Sequence, residues 1–181
     1  MSHPAGDEFG TLERVGDVSI LRFERRLAHA REKVWRALTD DAELAAWFPT
    51  TIEGERLPGA ALHFSFRQTE GAPFAGEMLA FDPPSLMELR WADDILRFEL
   101  QPDGAGCLLR LQVTLPEHGK AARDAAGWHV CLDRLVARCD GRPPPWQPSE
   151  RWTEVHDTYV ERLGPEASAI GPPSAPKRQD G

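Results

Sequence analysis

No run of about 18 apolar residues occurs anywhere in the 181-residue chain, which excludes a membrane-spanning helix. The opening MSHPAGDEFG carries neither the basic nor the apolar region of a secretion signal, so a cytoplasmic protein is expected. Basic residues are in short supply: 21 Lys and Arg stand against 29 Asp and Glu, a formal net charge of -8. Attraction to phosphate backbones or anionic lipid rests on clustered cations, so nucleic acid is not an expected partner. The three cysteines are an odd set. Cys131 and Cys139 fall on one helical stretch, which places them roughly 12 Å apart, beyond the reach of a disulfide. Reduced, packed thiols are expected of them and of Cys107. HExxH, G-x-S-x-G, P-loop and Cys-x-x-Cys patterns are all missing. No metal, cofactor or catalytic residue is therefore expected from the common signatures.

What is present is a long amphipathic helix and a set of strands to cover it. In AARDAAGWHVCLDRLVARC, Ala121–Cys139, the residues Trp128, Cys131, Leu132, Leu135, Val136 and Cys139 recur at helical spacing and form one apolar stripe. Before it, VSILRFERRL (Val18–Leu27) alternates as a strand, with Leu21, Phe23 and Leu27 on one face and Arg22, Glu24 and Arg26 on the other. Two short helices follow. Val34, Trp35 and Leu38 share one side of the first, and Leu44, Trp47 and Phe48 one side of the second. Thr39, Asp40 and Asp41 offer N-caps between them, and Pro49 ends the pair. Six strand-like runs then lead to the long helix, over residues 51–56, 60–68, 74–81, 86–91, 95–100 and 107–115. Their short connections predict antiparallel hairpins.

Alternation assigns the inner face. Phe64, Phe66, Met78, Trp91, Phe98, Leu109 and Leu111 are expected to meet the Trp128 stripe, although Leu79 and Phe81 compete with Met78 for the inward side of their strand. The fold class is α+β, a curved antiparallel sheet closing on a long helix. After Cys139 the run Asp140-Gly141-Arg142-Pro143-Pro144-Pro145 must stop that helix. A closing helix is expected over residues 149–163, striped with Trp152, Val155, His156, Tyr159, Val160 and Leu163. One domain over residues 11–140 is expected, with the proline linker and closing helix at 141–165 packed on it. Residues 1–10 and 166–181 are read as flexible tails, because Pro, Gly, Ser and charge dominate them.

The phrases ERRLAHAREKVWRALTDDAELAAWFP, GEMLAFDPPSLMELRW and GWHVCLDRL, in this element order, resemble the bacterial branch of the family named after the activator of the 90-kDa heat-shock-protein ATPase. That family lies within the START-like (SRPBCC) helix-grip superfamily. The resemblance runs from about Leu12 to Leu163. One departure is Ala30, where many relatives have proline at the start of the helix carrying Trp35. The superfamily implies an apolar cavity between sheet and long helix, used by different members to bind lipids, hormones or polyketides, and in some to catalyse their cyclisation or hydrolysis. The name implies a chaperone partner, but the eukaryotic activator uses a separate amino-terminal domain that has no room before Leu12.

The candidate ligand-binding residues are Trp47, Phe64, Phe66, Met78, Trp91, Phe98, Leu109, Trp128 and Leu132. The same set read as an ordinary packed core is the competing expectation. The leading function is binding of an apolar or amphipathic small molecule. A cyclase- or hydrolase-type enzyme, or an interaction module that contacts a chaperone or a second copy of the chain, are the alternatives. Among polar candidates, His129 is expected as a half-exposed residue on the helix flank, with a general base at a cavity mouth as the sharper reading. Glu77 is expected outward, Asp133 and Arg134 on a solvated face, and His63 and His156 without a role.

Overall fold

A computed structural model describes residues 8–67 and 71–172. The Gln68 end of the expected 60–68 strand and the outer parts of both expected tails lie outside the described residues. Strands β1 (Thr11–Val15) and β2 (Val18–Leu27) form a hairpin, and helices α1 (Arg31–Thr39) and α2 (Asp41–Leu44) follow. Strands β3 (Ala61–Phe64), β4 (Phe74–Asp82), β5 (Leu86–Trp91), β6 (Asp94–Asp103) and β7 (Gly106–Leu115) then lead to α3 (Ala121–Cys139) and α4 (Pro148–Leu163). The seven strands make one sheet in the order β1-β2-β7-β6-β5-β4-β3, antiparallel throughout. Consecutive strands β3 to β7 pair as expected, and the first long strand closes onto the last. Among the described residues no helix is long and apolar enough to cross a membrane.

Two sequence expectations change here. Residues 51–56 are not a strand; this stretch meets its neighbour through isolated bridges, Thr50 to Phe66 just before it and Glu53 to His63 within it. The second short helix ends at Leu44, and the chain continues in turn hydrogen bonds such as Trp47 N–H to the Leu44 carbonyl at 3.1 Å. Asp40 is the cap of that helix, accepting from Ala42 N at 2.9 Å. Helix α1 starts after Ala30 without any side-chain cap.

The sheet is built on parity, with one deliberate break. Leu96, Phe98 and Leu100 of β6 and Leu109, Leu111 and Val113 of β7 face inward and are buried. In β4 the register shifts between Met78 and Ala80, so Leu79 is the extra residue of a bulge. That insertion settles the competition for the inner side: Met78 is buried opposite Leu89, and past the bulge Phe81 also meets the core, at 5.4 Å from the Trp35 ring. Glu77 is exposed, as expected.

The outer flank of α3 is covered by α4 and by both chain ends. Val155 and Tyr159 of α4 are fully buried, while Val160 stands at the exposed edge. The segments expected as tails are in part structure. Phe9 packs on Tyr159 with ring centroids 5.2 Å apart, and Gly10 is buried. After α4 a 3-10 turn at Glu166–Ser168 buries Ala167 completely, and Ile170 N–H donates to the Gly119 carbonyl at 3.0 Å. Short runs of Pro and Gly concealed these contacts, because each is made by one or two residues rather than by a periodic stripe. A chain ending at Pro165 should therefore lose about 1 to 3 kcal/mol in urea melts, from an emptied Ala167 site and a broken hydrogen bond. A chain ending at Arg142 should self-associate on size-exclusion chromatography, because the α3 surface under Tyr159 would be bare.

Candidate functional site

Between the sheet and α3 the aromatic side chains form a continuous cluster. Trp47, Phe64, Met78, Phe98 and Leu109 are at most 1% exposed and make its floor, and Leu132 of α3 is equally buried. Trp47 is fixed by its indole N–H, which donates to the Ala37 carbonyl at 2.8 Å, and its ring meets Phe98 edge-on at 6.0 Å. Trp128 descends from α3 onto Trp91 at 5.3 Å and Phe48 at 5.7 Å. Trp91 then meets Phe74 at 5.2 Å and Phe66 at 6.4 Å, and Phe74 stacks on Phe64 at 5.1 Å. Phe66, Phe74 and Trp91 are half-buried, so the cluster reaches solvent at this edge of the sheet. Gly76 makes the stacking possible, since a Cβ there would lie 2.1 Å from the Arg90 carbonyl oxygen and 2.5 Å from the Phe64 ring. The structure thus brings all nine predicted residues together, with Phe66 and Trp91 at the rim and the other seven within the core. Thr50, fully buried, accepts from the Trp91 indole N–H at 3.3 Å. At the start of α3, Asp94 pairs with Lys120 at 2.7 Å; burial pushes its carboxyl above the ordinary range while the Lys120 hydrogen bond opposes that shift.

The opposite flank of α3 carries a polar network that was not expected. His129 is fully buried instead of half-exposed. Its Nδ1 is 2.9 Å from the Tyr159 hydroxyl, which also accepts the Gly10 N–H at 2.8 Å. Burial pushes the Tyr159 phenol up to about 12, so it remains a neutral donor and acceptor at physiological pH. Asp133, expected on a solvated face, is instead a hub. It takes Arg151 Nε at 3.1 Å and lies 3.5 Å from both Arg25 Nη2 and His129 Nε2. Arg25 donates in addition to the Glu8 carbonyl at 2.7 Å. Helical periodicity treats α3 as having one covered side; α4 and residues 8–10 cover a second, which is why His129 and Asp133 sit inside. Arg25 was missed, although its parity with Leu21, Phe23 and Leu27 on the inward face of β2 was a signal that could have placed it. Gly10 is required for the closure: a Cβ there would meet the Phe23 ring at 2.6 Å.

Glu8, His129 and Asp133 place ligand-type atoms within 4.8 Å of one another. Arg25 and Arg151 already bring positive charge to the Asp133 carboxylate, and a further cation would be repelled. The cysteines are free: Cys107 and Cys139 are buried, and burial raises the Cys139 thiol to about 11.

An antiparallel sheet gripping one long helix, with an aromatic interior whose edge rings are half-buried, defines a START-like helix-grip protein. Residues 28–140 match the family model described as Activator of Hsp90 ATPase homolog 1-like protein, and the chain belongs to that family. Among curated proteins no relative matches. Solved structures do. The conserved protein of unknown function EF2215 from Enterococcus faecalis is 22% identical, with 85% of this chain and 90% of that one aligned at a TM-score of 0.69. BPP1335 from Bordetella parapertussis is 26% identical over 90% of this chain and 96% of its own, with a TM-score of 0.68. CalU16 from Micromonospora echinospora is 18% identical over 86% and 96%, with a TM-score of 0.67.

Two substitutions test the two flanks. Trp128→Ala should cost about 3 to 5 kcal/mol in urea melts, since a side chain 4% exposed and in contact with two other rings would leave a large void. Tyr159→Phe should cost about 1 to 3 kcal/mol, because the Gly10 amide loses its acceptor and His129 a partner. A change below about 0.5 kcal/mol in the second variant would show that the hydroxyl does not hold the chain end in place.

Proposed function

We propose that this protein binds an apolar or amphipathic small molecule between the sheet and α3, entering at the edge where Phe66, Phe74 and Trp91 are half-buried. The observation that carries this reading is the gradient of exposure within one aromatic cluster, from a floor with no solvent contact to a rim that water reaches. Rings at a rim present flat apolar faces without committing a charge, which suits a hydrophobic ligand whose polar end stays in water. Membership of the Activator of Hsp90 ATPase homolog 1-like family supports the same reading. Trp128 and Leu132 from α3 would form the roof, and Trp47, Phe64, Met78, Phe98 and Leu109 the floor. Entry requires the rim rings to part. Polar groups beside the rim are bonded to one another or to backbone: the Trp91 indole to Thr50 Oγ1, and Arg67 Nε to the Phe48 carbonyl. That favours binding over a catalysed reaction, which needs at least two convergent groups free to act on a substrate.

Native mass spectrometry of freshly purified protein, before and after denaturation, should release a bound apolar compound. Titration with fatty acids, steroids and aromatic polyketides should produce saturable quenching of tryptophan fluorescence for at least one class. Trp91→Ala should weaken that binding about tenfold, a loss of about 1.4 kcal/mol, while the fold survives. A clean apo mass together with no saturable change across the panel would refute the proposal.

A further inference from the structure

Three arginines converge at the far end of α3, away from the aromatic rim. Arg134 and Arg138 lie one turn apart on the helix. The chain leaves the helix through Gly141 at φ 68°, in the left-handed region, and Arg142 N–H turns back to the Ala137 carbonyl at 3.0 Å. All three guanidinium-bearing residues border a cleft of about 350 Å³, walled also by Ala46, Pro143 and Pro144.

Cations near a helix C-terminus often serve its unpaired carbonyls. Here that role is filled by other groups: Lys33 Nζ donates to the Cys139 carbonyl at 2.7 Å, and the amides of Gly141 and Arg142 take the Arg138 and Ala137 carbonyls. The nearby carboxylates are committed as well. Glu43 receives Arg138 in a fork, through Nε and Nη2, both at 2.9 Å, which holds its carboxyl below the ordinary range. Asp140 takes His29 at 2.7 Å and Arg142 Nη2 at 3.2 Å. Arg134 has no hydrogen bond or ion pair among the described residues. In a chain whose net charge is -8, Arg134 is the arginine of this concavity that no carboxylate among the described residues balances, and Arg142, mostly exposed, has donors beyond the one given to Asp140.

We infer that the cleft binds a small oxyanion, the carboxylate or phosphate group of a low-molecular-weight compound, with Arg134 and Arg142 as its donors. Guanidinium forks match both groups, and a charge-assisted bond of this kind is roughly twice as strong as a neutral one. Pro143, Pro144 and Ala46 offer an apolar wall for the body of the compound. Arg138, held by Glu43, is a positioning residue that keeps the mouth of the cleft charged.

Isothermal titration of the full-length protein with pyrophosphate and with citrate, at ionic strength matched by sodium chloride, tests this. At least one of the two should bind saturably at one site per chain, and the stronger arm identifies phosphate or carboxylate as the preferred group. Arg134→Ala and Arg142→Ala should each weaken that binding about tenfold. Arg22→Ala, an exposed arginine on β2 that pairs with Glu13, should leave it unchanged. Amide resonances of Gly141 and Arg142 should shift during titration of the unmodified protein, a readout independent of how the variants fold. The inference is overturned by heats no larger than those of chloride, by an Arg22→Ala loss equal to the other two, or by resonance shifts confined to other parts of the chain.

Discussion

Everything in this structure depends on α3 being enclosed from two sides at once. The buried residues of its first two turns are all alanine: Ala121, Ala122, Ala125 and Ala126 are fully buried, which lets neighbouring backbone come close before the larger Trp128, Leu132 and Leu135 begin. The sheet covers one side with apolar side chains. The other side is covered by α4 and residues 8–10, and there the contacts are hydrogen bonds as much as hydrophobic ones. A helix in that position cannot leave a polar group unmatched, because an unpaired buried donor or acceptor costs about 1 to 3 kcal/mol. His129 and Asp133 are tolerated because Tyr159 and Arg151 arrive from α4 and Arg25 from β2.

Two buried charges of the sheet are also paired along this interior, one at the start of α3 and one in its second half. Asp94 of β6 pairs with Lys120 just before the helix, and Arg25 of β2 reaches Asp133 two-thirds of the way along it. Apolar packing alone would allow the helix to slide or rotate in the concave sheet. Paired charges do not, since a small displacement would strand them in a poorly solvated space. The two ion pairs therefore fix the rotation of α3 that brings Trp128 over Trp91. The aromatic site and the polar network are in this sense one arrangement read from two sides of the same helix.

How much of this could be read from the residues follows from what periodicity can see. The bounds of α3, the inward set on β6 and β7, and the gathering of Trp47, Phe64, Trp91 and Trp128 all arise from repeating patterns with a single burial direction. Residues 51–56 were expected as a strand, yet within them a single isolated bridge forms, Glu53 to His63. His129 was misplaced because the stripe on α3 says where one partner lies and is silent about a second. Arg25 and Asp94 obey the same alternation as their apolar neighbours, and their charge hid them. The packed ends, Phe9, Gly10 and Ala167, rest on single residues whose importance depends on what they touch, and no local pattern announces that.

The bulge at Leu79 has a meaning for how this sheet can change. On either side of it the strand obeys opposite rules: before it even-numbered residues face the helix, and after it odd-numbered ones do. A strand of this kind has two halves addressed to different neighbours, Met78 to the floor of the aromatic cluster and Phe81 to Trp35 on α1. Losing one residue here would not merely shorten the strand. It would restore a single rule along its whole length, with Met78 still opposite Leu89 and Phe81 still opposite Met87, and what would disappear is the local bend that the extra residue gives the strand.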